Sequence, residues 1–228
     1  YADGDLSPDG TRIAAVRERH PEAGCRAADV GNEIVLLDAA PGGPDGRGTA
    51  QGEPRVLVTG PDFVAAPRWS PDGTRLAYLR WNHPSMPWDD TELVVLDLGS
   101  GTGTVVAGGP GESVLEPRWD AAGRLLFLSD RTDRWNLYAW SGSVVEPVLV
   151  TDGEIGTAAW VFGQARYAVL PDGRVVAAVR RDGTDRLVVL DPDGTTRRLE
   201  VPFTEVTAIR ARPCGDMVVI ERSTWEGV

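Results

Sequence analysis

Two histidines, His20 and His83, and two cysteines, Cys25 and Cys214, are the residues of this 228-residue chain whose types best suit metal or nucleophilic chemistry. Their spacing serves neither. Neither histidine lies in an H-E-x-x-H or other ligand-spaced cluster, no G-x-S-x-G nucleophile elbow occurs, and the cysteines form no C-x-x-C pair. The glycine-rich segment 101–111 lacks the Gly-Lys-Ser/Thr ending of a phosphate loop and joins two β-type segments. Asp5, Ser7, Asp9 and Gly10 fall at a calcium-loop spacing, but Val16 stands where that loop needs a bidentate glutamate. The reading is therefore of no catalytic residue, no metal site and no cofactor. Two unpaired thiols fit a reducing compartment, hence a cytoplasmic location.

Binding chemistry has a better candidate. Residues 81–90, Trp81-Asn82-His83-Pro84-Ser85-Met86-Pro87-Trp88-Asp89-Asp90, combine two tryptophans, two prolines, a methionine and a histidine in a stiff amphipathic loop of the sort that lines binding faces. His83, Met86, Trp88 and Asp89 are the candidate contacts to a substrate or a neighbouring domain; the alternative is that Trp81 and Trp88 only cover a sheet edge. Residues 129–136 read as a polar hairpin in which Asp130 pairs with an arginine or caps backbone N–H groups. Residues 19–31, with Glu22 and Asp29, read as a Gly/Ala-rich excursion between strands.

The elements that must position these loops repeat. Ser-Pro-Asp-Gly-Thr-Arg before a short apolar run begins at Ser7 and again at Ser70, with looser copies from Asp120 and Leu170. In this turn proline presets φ, aspartate bonds back to its own backbone, and glycine takes the positive-φ corner. Each copy is followed by a second apolar run (33–38, 92–97, 136–140, 186–191) and a third (55–58, 104–106, 147–150, 197–200). An inner run precedes the later turns (63–69, 114–119, 157–162). The runs are short, β-branched or aromatic, and bounded by Gly, Asp and Pro, which predicts strands. Four antiparallel strands per unit, repeated about every 50 residues, predict an all-β fold, a β-propeller with four-stranded blades. Blades are expected at 1–59, 60–110, 111–153 and 154–201, with a partial blade at 202–228. A propeller avoids exposed edges by closing its ring, so the chain reads as an incomplete portion of a six- to eight-bladed propeller. Trp69, Trp119 and Trp160 are assigned to packing between blades.

A net charge of −11 argues against nucleic acid, which needs a basic footprint. No apolar run is long enough to span a membrane.

The residues also carry a family resemblance. Ala66-Pro67-Arg68-Trp69-Ser70-Pro71-Asp72-Gly73, the 83–89 loop followed by Thr91-Glu92-Leu93, Gly108-Gly109-Pro110-Gly111-Glu112-Ser113, and Ser129-Asp130-Arg131 with Trp135-Asn136-Leu137-Tyr138 together resemble the N-terminal propeller of prolyl-oligopeptidase (S9) serine peptidases. The bacterial dipeptidyl and acylaminoacyl peptidase-like proteins are the branch most resembled. The turn alone is shared with TolB-like propellers; the 83–90 loop and the 135–138 segment make the match more specific. The resemblance covers the whole chain. It implies a propeller of about seven blades that caps an α/β-hydrolase domain of the same polypeptide, restricts entry to short peptides and helps hold them. The catalytic Ser, Asp and His lie in that hydrolase domain, which is absent here, so no catalytic residue carries over and the chain alone is inactive. The rival reading is a TolB-like protein- or solute-binding propeller without peptidase activity.

Overall fold

The computed structural model describes residues 1–21, 24, 26, 29–39, 50–211 and 218–223, the last six and residues 50 and 51 as backbone only. Cys25, Cys214 and Glu22, on which the thiol and excursion readings rest, lie outside the described residues. Two compact units are present, Tyr1–Gly111 and Glu112–Val228.

The first unit holds two four-stranded antiparallel sheets. One is β1 (Ala2–Leu6), β2 (Arg12–Arg19), β3 (Gly31–Ala39) and β4 (Ala50–Val58), paired in chain order. The other is β5 (Phe63–Trp69), β6 (Arg75–Trp81), β7 (Thr91–Asp97) and β8 (Gly103–Gly109). The second unit holds β9 (Val114–Trp119), β10 (Leu125–Ser129), β11 (Asn136–Trp140) and β12 (Val145–Leu149). It continues with β13 (Tyr167–Val169), β14 (Val175–Arg181), β15 (Thr184–Leu190) and β16 (Thr196–Leu199), then the pair β17 (Glu205–Ala211) and β18 (Val218–Ser223). The described residues form no α-helix, and no helix among them is long and apolar enough to cross a membrane. This is the all-β, four-stranded-blade architecture that the repeats predict.

The recurring turn shows why the repeat is written as it is. Asp9 Oδ1 accepts hydrogen bonds from Ser7 Oγ (2.6 Å), Thr11 N (3.0 Å) and Thr11 Oγ1 (2.8 Å), while Ser7 Oγ accepts from Arg12 N (2.9 Å). Asp72 makes the same three bonds with Ser70 and Thr74, and Arg75 N again donates to the serine hydroxyl. Gly10 and Gly73 take φ of 73° and 69°, a conformation that costs a glycine nothing. Serine, aspartate and threonine thus close one hydrogen-bonded ring, and the glycine lets the chain turn beneath it.

Sheets pack face to face through apolar side chains. In the first unit Ala14, Val16, Ile34 and Leu36 meet Val64, Trp69, Leu76, Tyr78 and Val94. In the second, Leu126, Leu128 and Leu137 meet Tyr167, Val175 and Ala177, and Ala168, Val176 and Leu187 meet Val206 and Ile209. Trp69 is therefore packing between sheets.

Two expectations fail together. Residues 157–162 are not a strand; the inner strand of that sheet is β13, Tyr167–Val169. Trp160 is not buried between sheets but 74% exposed. The register explains both. Arg166 lies four residues before the turn residue Leu170, as Ala66 and Glu116 lie four before Ser70 and Asp120, so the pairing falls on Tyr167–Val169. The apolar residues 157–162 are left in a connection between β12 and β13.

Candidate binding face

The 82–90 loop joins β6 to β7, at the end of that sheet opposite the Pro71-Asp72-Gly73 turn. Hydrogen bonds hold its entrance to the β4–β5 connection: Asp62 N donates to Asn82 Oδ1 (2.9 Å) and His83 N donates to Asp62 Oδ2 (2.9 Å). Asn32 Nδ2 donates to Asp62 O (2.8 Å), which ties the same point to β3 of the preceding sheet. Phe63 and Trp81 stack with ring centroids 5.3 Å apart beside it.

The loop's middle is braced from within. Met86 N donates to Asp89 Oδ2 (2.8 Å), Asp89 N donates to Met86 O (2.9 Å), and Thr91 Oγ1 donates to Pro87 O (2.5 Å). Asp90 joins two segments, accepting from Gly111 N (2.7 Å) and Ser85 Oγ (2.5 Å). Those two donors, the Gly111 amide foremost, hold its carboxyl below the ordinary aspartate value. All four predicted contacts fall on this one loop: His83, Met86 and Asp89 are exposed and Trp88 is half-buried. Asp89 also has a structural duty, capping Met86. The arrangement offers a thioether, an imidazole and indole surface on a braced support, suited to non-covalent contact with apolar groups.

In the second unit, Asp130 Oδ1 accepts from Ser113 N (2.7 Å), so the predicted backbone cap is present. Burial pushes the Asp130 carboxyl up against that bond. Arg131 pairs with Glu112 (2.7 Å) and lies over the Tyr138 ring, 4.9 Å from its centroid. Among the described residues no group of three or more His, Cys, Asp or Glu is placed to hold a metal ion. Asp5 and Asp9, at the calcium-like spacing, are otherwise engaged: Asp5 Oδ2 accepts from Trp69 N (2.8 Å) and Asp9 closes its turn.

Sequence reasoning finds inner runs but passes over the polar residues next to their turns. Asp3, Ala66 and Glu116, each four residues before a turn, take φ near 50° at a bulge. The carboxylate of Asp3 accepts from Ala66 N, and that of Glu116 from Arg166 N. Arg166 is itself buried, donating to both Asp185 oxygens (3.0 and 2.8 Å), to Ile155 O (3.0 Å) and to Val206 O. The sequence-level signal is the repeat register: a carboxylate four residues before the turn in two of four copies.

No family model and no curated protein matches the sequence. Solved structures do. A puromycin-hydrolysing peptidase from Mycobacterium tuberculosis is 36% identical over 92% of this chain and 33% of its own, with a TM-score of 0.80. A puromycin hydrolase is 26% identical over 98% of this chain and 34% of its own, with a TM-score of 0.83. Prolyl oligopeptidase B from Galerina marginata shares the fold, at 12% identity and a TM-score of 0.72 over 96% of this chain and 30% of its own. TolB from Acinetobacter baumannii also shares the fold, at 20% identity and a TM-score of 0.62 over 99% of this chain and 49% of its own. The sheets and these matches define the class, a β-propeller portion. Over nearly its whole length it resembles the propeller of the prolyl oligopeptidase family of serine peptidases. The chain spans about a third of the length of the peptidase structures it matches.

Proposed function

We propose that this chain is the non-catalytic propeller portion of a prolyl-oligopeptidase-like serine peptidase. It restricts access and helps position short peptides for an α/β-hydrolase domain of the same polypeptide. The observation that carries the reading is the 36% identity to a peptidase over 92% of the chain at a TM-score of 0.80. TolB matches at the level of the fold alone.

Division of labour follows from the chemistry. A Ser–His–Asp relay in the hydrolase domain attacks the peptide bond, and backbone N–H donors hold the oxyanion. The propeller contributes exclusion and orientation: folded proteins are rejected, and His83, Met86, Trp88 and Asp89 on the braced loop contact the substrate or the hydrolase domain. A cytoplasmic location is part of the same proposal.

The test is fluorophosphonate labelling of the complete gene product, together with its rate of hydrolysis of tripeptide amides and of a folded protein. Labelling with cleavage restricted to the short peptides is the expected result. A folded, complete product that takes no label removes the peptidase reading.

A further inference from the structure

Residues 155–165 carry no charged side chain, in a chain of which 25% is charged. At the centre of this segment Trp160, Val161 and Phe162 stand 74%, 68% and 52% exposed, the longest consecutive run of exposed large apolar residues among those described. Solvent-facing connections are ordinarily polar, and a contiguous apolar patch marks a contact surface.

The loop is also held in shape. Gln164 Nε2 donates to Ala158 O (3.0 Å), Trp160 N donates to Ala158 O (2.9 Å), and Arg210 donates to Gly163 O (2.5 Å) from β17. At its root Ile155 is fully buried, and the N–H of Ile209 donates to Ala165 O (2.6 Å). A braced support that presents three apolar side chains to water loses little conformational entropy when something covers it.

We propose that this loop is the contact through which the propeller holds a second folded domain of the same polypeptide, an apolar patch of that domain lying on Trp160, Val161 and Phe162. The inference rests on the reading of the chain as the propeller portion of a larger peptidase. Its occupant is argued from length: the matched peptidases are about three times as long as this chain, which covers 33% and 34% of them. Such a polypeptide has ample further chain to cover the patch. A second copy of this chain fits less well, because two bodies of charge −11 repel. The side chains of the segment itself are uncharged, so the surface that lies on Trp160, Val161 and Phe162 is apolar, because a charge desolvated against those three gains no partner from them.

Hydroxyl-radical footprinting of the complete gene product tests the contact. The oxidation rates of Trp160 and Phe162, corrected for intrinsic reactivity, are compared with those of Val144 and Val150, which are 52% and 53% exposed here. Oxidation of Trp160 and Phe162 several-fold slower than the valines, independent of protein concentration, is the expected result. Rates in line with their exposure here overturn the proposal. Protection that fades on dilution assigns the patch to a second copy, and protection that appears only when a tripeptide is added assigns it to substrate; either overturns it. Fluorophosphonate labelling of the same sample reports separately on the peptidase reading. A labelled but unprotected product removes the contact alone, and a protected but unlabelled one removes the serine chemistry and leaves the contact standing.

Discussion

Asp3 and Ala66 occupy the same place in successive repeats, and the carboxylate of the first accepts the amide hydrogen of the second at 2.7 Å. The other Asp3 oxygen accepts from Arg68 at 2.9 Å. Both contacts lie at inner-strand bulges where residues 3 and 66 take positive φ. The bulge turns the Ala66 amide out of its own ladder, and the neighbouring strand's carboxylate satisfies it. Asp3→Ala leaves a buried amide and a largely buried guanidinium without this partner, a loss of about 2–4 kcal/mol. Asp3→Asn keeps an acceptor and costs less. Urea unfolding midpoints of the two variants check the order; equal midpoints for wild type and Asp3→Ala refute the role.

The same device recurs between Glu116 and Arg166, at 2.8 Å, with one difference: Glu116 Oε1 and Arg118 Nε are buried without a hydrogen-bond partner among the described residues. Burial pushes the Glu116 carboxyl above its ordinary value, opposed by Arg118, the Arg166 amide, and the charges of Arg166 and Arg210. The folded state then holds the proton more tightly than the unfolded one, so stability falls as pH rises from about 4.5 through the raised folded value. Glu116→Gln removes this slope. The stability of wild type relative to the glutamine variant is expected to decline across that window and level off above it, read by urea unfolding at stepped pH; parallel profiles refute it.

Arg166 and Asp185 give the opposite sign. Burial raises the Asp185 carboxyl, but hydrogen bonds from Arg166, Arg180 and the Val206 amide outweigh it and bring it to about 2. Its contribution is present above the unfolded value of 3.8 and is lost as pH falls through about 2. Asp185→Ala strands a buried arginine, and breaking such a pair costs about 3–5 kcal/mol. Arg166→Met with Asp185→Leu, which removes both charges, is expected to recover much of that loss. Thermal unfolding of the single and double variants decides; a double variant as unstable as the single one assigns the loss to the hydrogen bonds that Arg166 makes to Ile155 O and Val206 O and that Asp185 accepts from Arg180 and Val206 N, not to the stranded charge.

The blade architecture was legible because each repeat writes its turn in residues with one mechanism. Asp9 and Asp72 can be read from sequence since Pro, Asp and Gly act locally, within five residues. The offset of β13 was not legible, because Trp160-Val161-Phe162 is as apolar and β-prone as a true inner strand. Only the spacing to Leu170, which sets the register with Val175, distinguishes Tyr167–Val169. The 82–90 loop stood out by composition, yet the engagement of Asp89 with Met86 and of Asp90 with Gly111 depends on bonds that close only after folding.

The repeated turns predict a matched pair of titrations. Hydrogen bonds from the neighbouring serine and then the threonine hold both Asp9 and Asp72 at about 2. Carboxyl chemical shifts followed by NMR should show both midpoints well below the ordinary aspartate value. Ser7→Ala is expected to raise Asp9 and leave Asp72 in place, and Ser70→Ala the reverse. Movement of both residues in either variant contradicts a local cause.

The 82–90 loop separates support from contact. Asp90 ties Ser85 to Gly111, so Asp90→Ala is expected to loosen the loop, and hydrogen exchange at the Gly111 amide should accelerate. Met86 is 44% exposed, so Met86→Ala should leave stability within about 0.5 kcal/mol. If the exposed thioether contacts bound peptide, Met86→Ala raises KM in the complete polypeptide with kcat unchanged, because it removes binding that is equal in ground state and transition state. Asp90→Ala should change KM and kcat together, since a displaced loop misplaces the substrate. Unaltered kinetics in both variants would take this loop out of substrate contact, while leaving its bonds to Asp62 and Gly111 as a brace between strands.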